Sequence, residues 1–248
     1  GWFEEKGELR VDENMVLNMR QLIEMAKQKR NGFVEIGPGQ FLALTEEFRR
    51  RLQEINALMA PNKDGTYQLH PLAAPAMESF TSLLDQVEAD KRFKESIERM
   101  KQAFTRRYTP PAAFKATLRE YQTEGFEWLC RLADWGVGAC LADDMGLGKT
   151  VQALALLQLR AEQGPALVVA PASVCRNWVA EIGKFTPELT PVLFGEGDRE
   201  AEIDNAKPGQ ILITTYDLLT REAESFTKKI FSTIILDEAQ AIKNRATK

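Results

Sequence analysis

Apolar residues along this chain first recur at helical spacing and only later gather into short continuous runs. From Asp12 to Arg30, Met15, Met19, Leu22 and Ala26 share one helical face, which predicts a helix ended by Asn31-Gly32. Phe33-Val34-Glu35-Ile36 and Gln40-Phe41-Leu42-Ala43-Leu44 flank Gly37-Pro38-Gly39, the pattern of a β-hairpin over 33–45. Thr45 then makes a good N-cap, and Glu46 and Glu47 in the first turn complement the helix dipole. Phe48, Leu52, Ile55 and Met59 mark that helix's apolar face, which Pro61 closes. Residues 61–75, rich in proline, read as loop. Periodicity resumes at Met77 with Phe80, Leu84 and Val87. It continues through Phe93, Ile97, Met100 and Phe104, with an interruption expected at Asp90.

Arg106-Arg107-Tyr108-Thr109-Pro110-Pro111 ends this regime, and the domain boundary is placed there. Residues 1–110 are expected to form a mainly helical α+β leading domain carrying the hairpin. Beyond it, strands and helices alternate. Leu118 to Trp135 reads as a helix stopped by Gly136, Val137 to Ala142 as a strand, and Val151 to about Gln163 as a buried helix. Ala166-Leu167-Val168-Val169-Ala170 has the continuous apolar character of a strand covered on both faces. Val174, Trp178, Ile182 and Phe185 mark a further helix, and 191–194, 211–215 and 233–236 are strand-like. Such alternation predicts an α/β domain over 112–248 with a parallel sheet and right-handed crossovers.

Composition narrows the class. No apolar run approaches the length of a membrane span, so no membrane association is expected. Cys130, Cys140 and Cys175 are odd in number and lack metal-type spacing; they read as buried thiols of a reducing compartment, with a cytoplasmic location expected. The net charge is −4, and residues 1–110 balance at 17 basic against 17 acidic, so the acid excess falls entirely after them. A bulk basic signature for nucleic acid is absent, although a local basic stripe survives such averaging. Arg49-Arg50-Arg51 reads as a solvated helix face, with phosphate contact as the alternative. His70, the single histidine, has no clustered partners and reads as structural.

Two stretches carry chemistry. In Ala142-Asp143-Asp144-Met145-Gly146-Leu147-Gly148-Lys149-Thr150, a glycine turn between a predicted strand and helix makes a phosphate cradle. Lys149 would meet the β- and γ-phosphates of ATP, and Thr150 would offer its hydroxyl to Mg²⁺. Asp143 stands where the commoner spacing has a glycine, and by itself Gly-x-Gly-Lys-Thr also fits an ordinary helix-capping loop. Thr233-Ile234-Ile235-Leu236-Asp237-Glu238-Ala239-Gln240 is an apolar strand ending in two acids, which puts carboxylates at the sheet's carboxyl edge. There Asp237 would hold Mg²⁺, and Glu238 would orient the attacking water. An acidic helix start after a buried strand is the plain alternative.

Together these residues resemble the Swi/Snf-type ATPases of helicase superfamily 2, the first part of the chain resembling the bacterial branch. Leu118 to Leu129 is similar to the family's glutamine motif, in which Gln122 would read the adenine edge. Asp143 to Gln152, including Asp144, Met145, Gly146, Leu147, Gly148, Lys149 and Thr150, is similar to its first helicase motif, where the missing glycine is normal. Pro171-Ala172-Ser173-Val174 with Trp178 and Ile213-Thr214-Thr215-Tyr216-Asp217 are similar to two later segments. The resemblance implies that Ser173, Thr215 and Tyr216 lie on a track for duplex DNA. Asp237-Glu238-Ala239-Gln240 departs from the commoner form, which ends in His.

The implied fold is an incomplete RecA-like, parallel-sheet ATPase lobe, and the implied activity is DNA-dependent ATP hydrolysis driving translocation. The implied second lobe, with arginines for the γ-phosphate, does not occur within these residues, so the chain alone is expected to be nearly inactive. An alternative from another class is a recruitment module, in which residues 1–110 bind a protein partner and the nucleotide site is regulatory or vestigial.

Overall fold

The computed structural model describes residues 91–242 continuously. Before them it describes 3–4, 6–12, 15–18, 33–37, 40–43, 45–61, 67–69, 71–73, 75–76 and 87–88. The chain divides into two compact units, 1–106 with 131–138, and 107–130 with 139–248. Among the described residues no helix is long and apolar enough to cross a membrane.

The first unit is built from short antiparallel pairings. Strands β1 (Phe3–Glu4), β7 (Tyr67–Leu69) and β6 (Met59–Pro61) form one sheet in the order β1-β7-β6. Strands β3 (Met15–Asn18), β2 (Lys6–Asp12) and β8 (Val87–Glu88) form a second, in the order β3-β2-β8. Strands β4 (Phe33–Gly37) and β5 (Gln40–Ala43) pair as a hairpin whose register shifts between Glu35 and Gly37.

The helix expected from Asp12 therefore does not begin there. Met15-Val16-Leu17-Asn18 pairs with β2 instead, Leu17 opposite Leu9 and Val16 opposite Arg10. Three β-strand-compatible residues with a partner edge outweigh a helical spacing that four apolar positions define only loosely. The rest of that predicted helix, 19–30, and the stretch 77–86 lie outside the described residues.

Helix α1 (Glu46–Leu58) follows Thr45 and carries Glu46 and Glu47 in its first turn. On it, Arg50 pairs with Glu54 one turn on at 3.9 Å, both largely exposed, an arrangement that contributes little to stability. Helix α2 (Lys91–Thr105) begins just after Asp90 and buries Ser96, Ile97 and Ala103. Trp135, also buried, donates its indole N–H to Ser96 Oγ at 3.0 Å, which satisfies both polar groups in the first unit's interior.

The second unit is α/β. Helix α3 (Glu120–Trp135), whose residues 131–135 count with the first unit, leads to the cradle loop and to α4 (Lys149–Leu159). Strand β9 (Ala166–Val169), helix α5 (Ala172–Phe185), β10 (Thr190–Leu193), α6 (Arg199–Asp204) and β11 (Gln210–Thr214) follow in turn. Two short helices, α7 (Tyr216–Arg221) and α8 (Ala223–Lys228), precede β12 (Thr233–Leu236).

The four strands form one all-parallel sheet in the order β10-β11-β9-β12. Its central strands are buried throughout, which is why 166–170 and 211–214 read as unbroken apolar runs. One face rests on Leu167, Val169, Leu212, Phe194, Ile203, Ala206 and Phe226, with the Phe194 and Phe226 rings edge-to-face at 4.9 Å. Helix α5 packs on β10 and β11, and α4 packs on α5. Arg160, at the end of α4, donates to Thr233 Oγ1 and to the Ser232 carbonyl, tying that helix to the start of β12.

One expected strand is not there. Val137 to Ala142 joins no sheet, and the segment between Gly136 and the cradle has no regular structure. A strand exists only against a partner edge, and glycines at 136 and 138 weaken this one further. Among the described residues no strand pairs with the other edge of β12, and on one of its faces Ile234 and Leu236 are 58% and 45% exposed.

Candidate active site

The cradle loop is shaped by two glycines in the left-handed region, Gly146 at φ 84° and Gly148 at φ 77°. Gly148 caps α4, so Lys149 and Thr150 are the first two helical residues and stand where a helix N-terminus offers unpaired N–H groups. The loop is closed on itself. Lys149 Nζ donates to the carbonyls of Asp143 (2.7 Å) and Asp144 (3.1 Å). Gln122 Nε2 and the Tyr121 hydroxyl both donate to the Leu147 carbonyl, at 3.0 and 3.2 Å. Gln122 Oε1 in turn accepts from the Arg119 backbone N–H at 2.9 Å. Gln122 thus lies against the cradle loop with both ends of its amide engaged by the protein. Met145, at the loop tip, is 89% exposed.

Underneath, α3 and α4 approach closely. A Cβ on Gly125 would collide with the Gln152 side-chain carbonyl, so any larger residue there requires that amide to move. Gln152 is fully buried, and neither polar atom of its amide has a hydrogen-bond partner. An orphaned amide beneath a cradle is costly in a finished core.

At the carboxyl ends of the strands stand the residues predicted from the second motif and the DNA track. Ser173 is exposed in the first turn of α5, after β9. Thr215, after β11, caps α7 by accepting from the Leu218 N–H at 3.2 Å. Asp237, after β12, is held at every polar atom. Its N–H donates to the Val169 carbonyl (2.8 Å), and its carbonyl accepts from the Tyr216 hydroxyl (2.7 Å). Carboxylate Oδ1 accepts from the Glu238 N–H (2.9 Å), and Oδ2 from the Trp178 indole N–H (2.8 Å). Tyr216 is therefore both a track candidate and a strut of the acid loop. Glu238 has φ 50°, an uncommon conformation for a non-glycine residue, and its carboxylate accepts from the Gln240 amide. No hydrogen bond joins the cradle group to the acid group among the described residues.

The acids set the local electrostatics. Burial, and then the Asp237 and Glu238 charges, push the Tyr216 phenol above the usual tyrosine range, so its hydroxyl remains a donor. Burial chiefly, with Asp237 adding to it and Lys184 opposing, raises Glu181 above the usual carboxylate range. Cys175 is raised chiefly by burial, and its Sγ lies near the carbonyls of Ala170, Pro171 and Thr214; Cys130 is buried as expected, whereas Cys140, in the irregular segment before the cradle, is exposed. Glu181 carries no motif signal beyond its place one turn after Trp178.

A parallel lobe with a glycine cradle before one helix and acids at its carboxyl edge is a RecA-like nucleotide lobe in architecture. The chain belongs to the SNF2-related domain family, whose family model matches residues 121–248. Over 152 residues it is 43% identical to the chromatin-remodeling ATPase INO80 of Arabidopsis thaliana, covering 55% of this chain and 10% of that protein. A putative ATP-dependent helicase/translocase of Bacillus subtilis, YwqA, is 43% identical over 146 residues, covering 55% and 16%. Among solved structures, the Sulfolobus solfataricus SWI2/SNF2 ATPase core in complex with dsDNA superposes with a TM-score of 0.51 at 40% identity. That match covers 57% of this chain and 30% of the archaeal one. The chain therefore spans a small part of the length of the relatives it matches.

Proposed function

We propose that residues 112–248 are the ATP-binding first lobe of a DNA-dependent ATPase that couples hydrolysis to movement on duplex DNA. The observation that carries this reading is the placement of Asp237 at the carboxyl edge of the sheet, with each of its polar atoms engaged. A carboxylate fixed that firmly is suited to a cation rather than to a solvated surface.

The residues fit ATP with Mg²⁺. Gly146 has open space where a side chain would stand, and its left-handed backbone turns the loop back over the start of α4. In this reading the Lys149 ammonium leaves two carbonyls for the β- and γ-phosphates. Thr150 and Asp237 hold the cation, Glu238 orients the attacking water, and Gln122 reads the adenine edge. Mg²⁺ would supply charge neutralisation on the phosphate oxygens. The strained Glu238 backbone fits a role in which its carboxylate must point one way.

Ser173, Thr215 and Tyr216 then form this lobe's share of a phosphate track, a reading supported by the archaeal relative solved with dsDNA. Residues 1–110 are read as a separate leading domain with a surface for a protein partner.

Calorimetry with ATP and Mg²⁺ tests the nucleotide reading. Wild type binds, Lys149→Ala does not, and equal binding by both would sink the cradle assignment. Duplex DNA should bind weakly, with a log–log salt slope of about −2 to −4 for so few phosphates. A salt-insensitive complex retained by 1–110 would move the DNA contact off the lobe.

A further inference from the structure

Trp178 lies within α5 and is 2% exposed, yet its one polar atom does not point at a backbone carbonyl of its own layer. It reaches 59 positions along the chain to Asp237 Oδ2, at 2.8 Å. We infer that Trp178 is a positioning residue for the cation-binding carboxylate, its indole N–H fixing the plane in which Asp237 presents its remaining lone pairs. The inference rests on the nucleotide reading above.

Indole nitrogen is a donor only, so it can meet a carboxylate oxygen but cannot replace that oxygen at a cation. The bond to an ionised acceptor is of the stronger, charge-assisted kind. Glu238 N–H holds the other oxygen from the opposite side of the same residue. Two donors from two separate segments, one on each oxygen, leave the carboxylate no free rotation about its last bond. The main chain is fixed as well, by Val169 and by the Tyr216 hydroxyl. Groups one step behind a cation ligand commonly control its affinity by tenfold or more.

A purely structural role competes with this: a buried indole needs some acceptor, and Asp237 is simply the nearest. The two accounts part in what Trp178→Phe changes. Phenylalanine keeps most of the buried ring and removes the N–H. The experiment compares ATP affinity in EDTA with ATP affinity in Mg²⁺, for wild type, Trp178→Phe, Asp237→Ala and the double variant of the 248-residue chain.

If Trp178 positions Asp237, Trp178→Phe binds metal-free ATP as wild type does and loses about tenfold of the Mg²⁺-dependent gain. In the Asp237→Ala background the same substitution then changes nothing further. Full retention of the Mg²⁺ gain by a folded Trp178→Phe overturns the inference while leaving the nucleotide reading intact. Absence of any ATP binding by wild type overturns the nucleotide reading, and this inference with it. Should Trp178→Phe not fold, the indole N–H resonance of Trp178 in wild type decides: Mg²⁺ with ATP shifts it beyond the position found with ATP in EDTA if the carboxylate it holds takes the cation. An unmoved resonance contradicts the inference.

Discussion

The cradle and the acid edge are two halves of one proposed site, built in opposite ways. Asp237 continues the ladder of a buried parallel sheet, and helices α5 and α7 each contribute a side chain to hold it. The cradle lacks the strand expected before it, and its polar groups are satisfied by its own carbonyls and by Gln122. The acid half is set by the fold, whereas the cradle half rests in a closed arrangement that a ligand must open. Preorganised charge belongs where a cation sits, and an adaptable loop suits phosphates that must enter and leave.

Lys149→Ala gives the largest expected effect on the cradle side, loss of measurable ATP affinity, because no other cation starts α4. On the sheet side the counterpart is Ile213→Ala, at a fully buried position of β11. It should cost about 2–5 kcal/mol in denaturant unfolding and loosen Thr215, Tyr216 and Asp237 together. If Ile213→Ala instead left stability unchanged, the acid edge would not be the rigid half.

Gly148→Ala is the next smaller. The left-handed φ of 77° costs alanine about 1–2 kcal/mol, and its Cβ would press on the Gln122 amide. Roughly tenfold weaker ATP binding is expected, together with a Tm lower by several degrees, since the strain falls on the folded state alone.

Glu181→Gln gives the smallest effect. Burial raises the Glu181 carboxyl in the folded state, so folding favours its protonated form. Its contribution is fully present below the unfolded pKa and is lost as pH rises through the folded value. Glutamine should therefore raise Tm slightly at pH 7 and leave it unchanged near pH 3. A lower Tm for Glu181→Gln at pH 7 would contradict the burial argument.

Much of the second unit was legible because its central strands are buried on both faces. The unbroken runs 166–170 and 211–215 gave β9 and β11 nearly to the residue. The segment 137–142 carried the same apolar signal and formed no strand, because a strand's partner is not written in its own residues. Met15 to Asn18 erred the other way, since a few apolar positions fit a helix face and a short paired strand alike. Helices α7 and α8 are six residues each, too short for periodicity to show. Motif spacing singled out Lys149 and Asp237 as candidates, and the family resemblance singled out Gln122. Neither could show that Trp178 and Tyr216 both end on Asp237, because such contacts join segments far apart in sequence.

Amide hydrogen exchange over the whole chain, with and without ATP and Mg²⁺, tests the contrast and the function together. Exposed loop amides exchange quickly until a ligand occupies them, while sheet amides are protected beforehand. The account predicts that ATP slows exchange across 143–152 in wild type and not in Lys149→Ala, with β9 and β11 already protected and little changed. Protection confined to residues 1–106, or a cradle no slower with ATP than without, would contradict it.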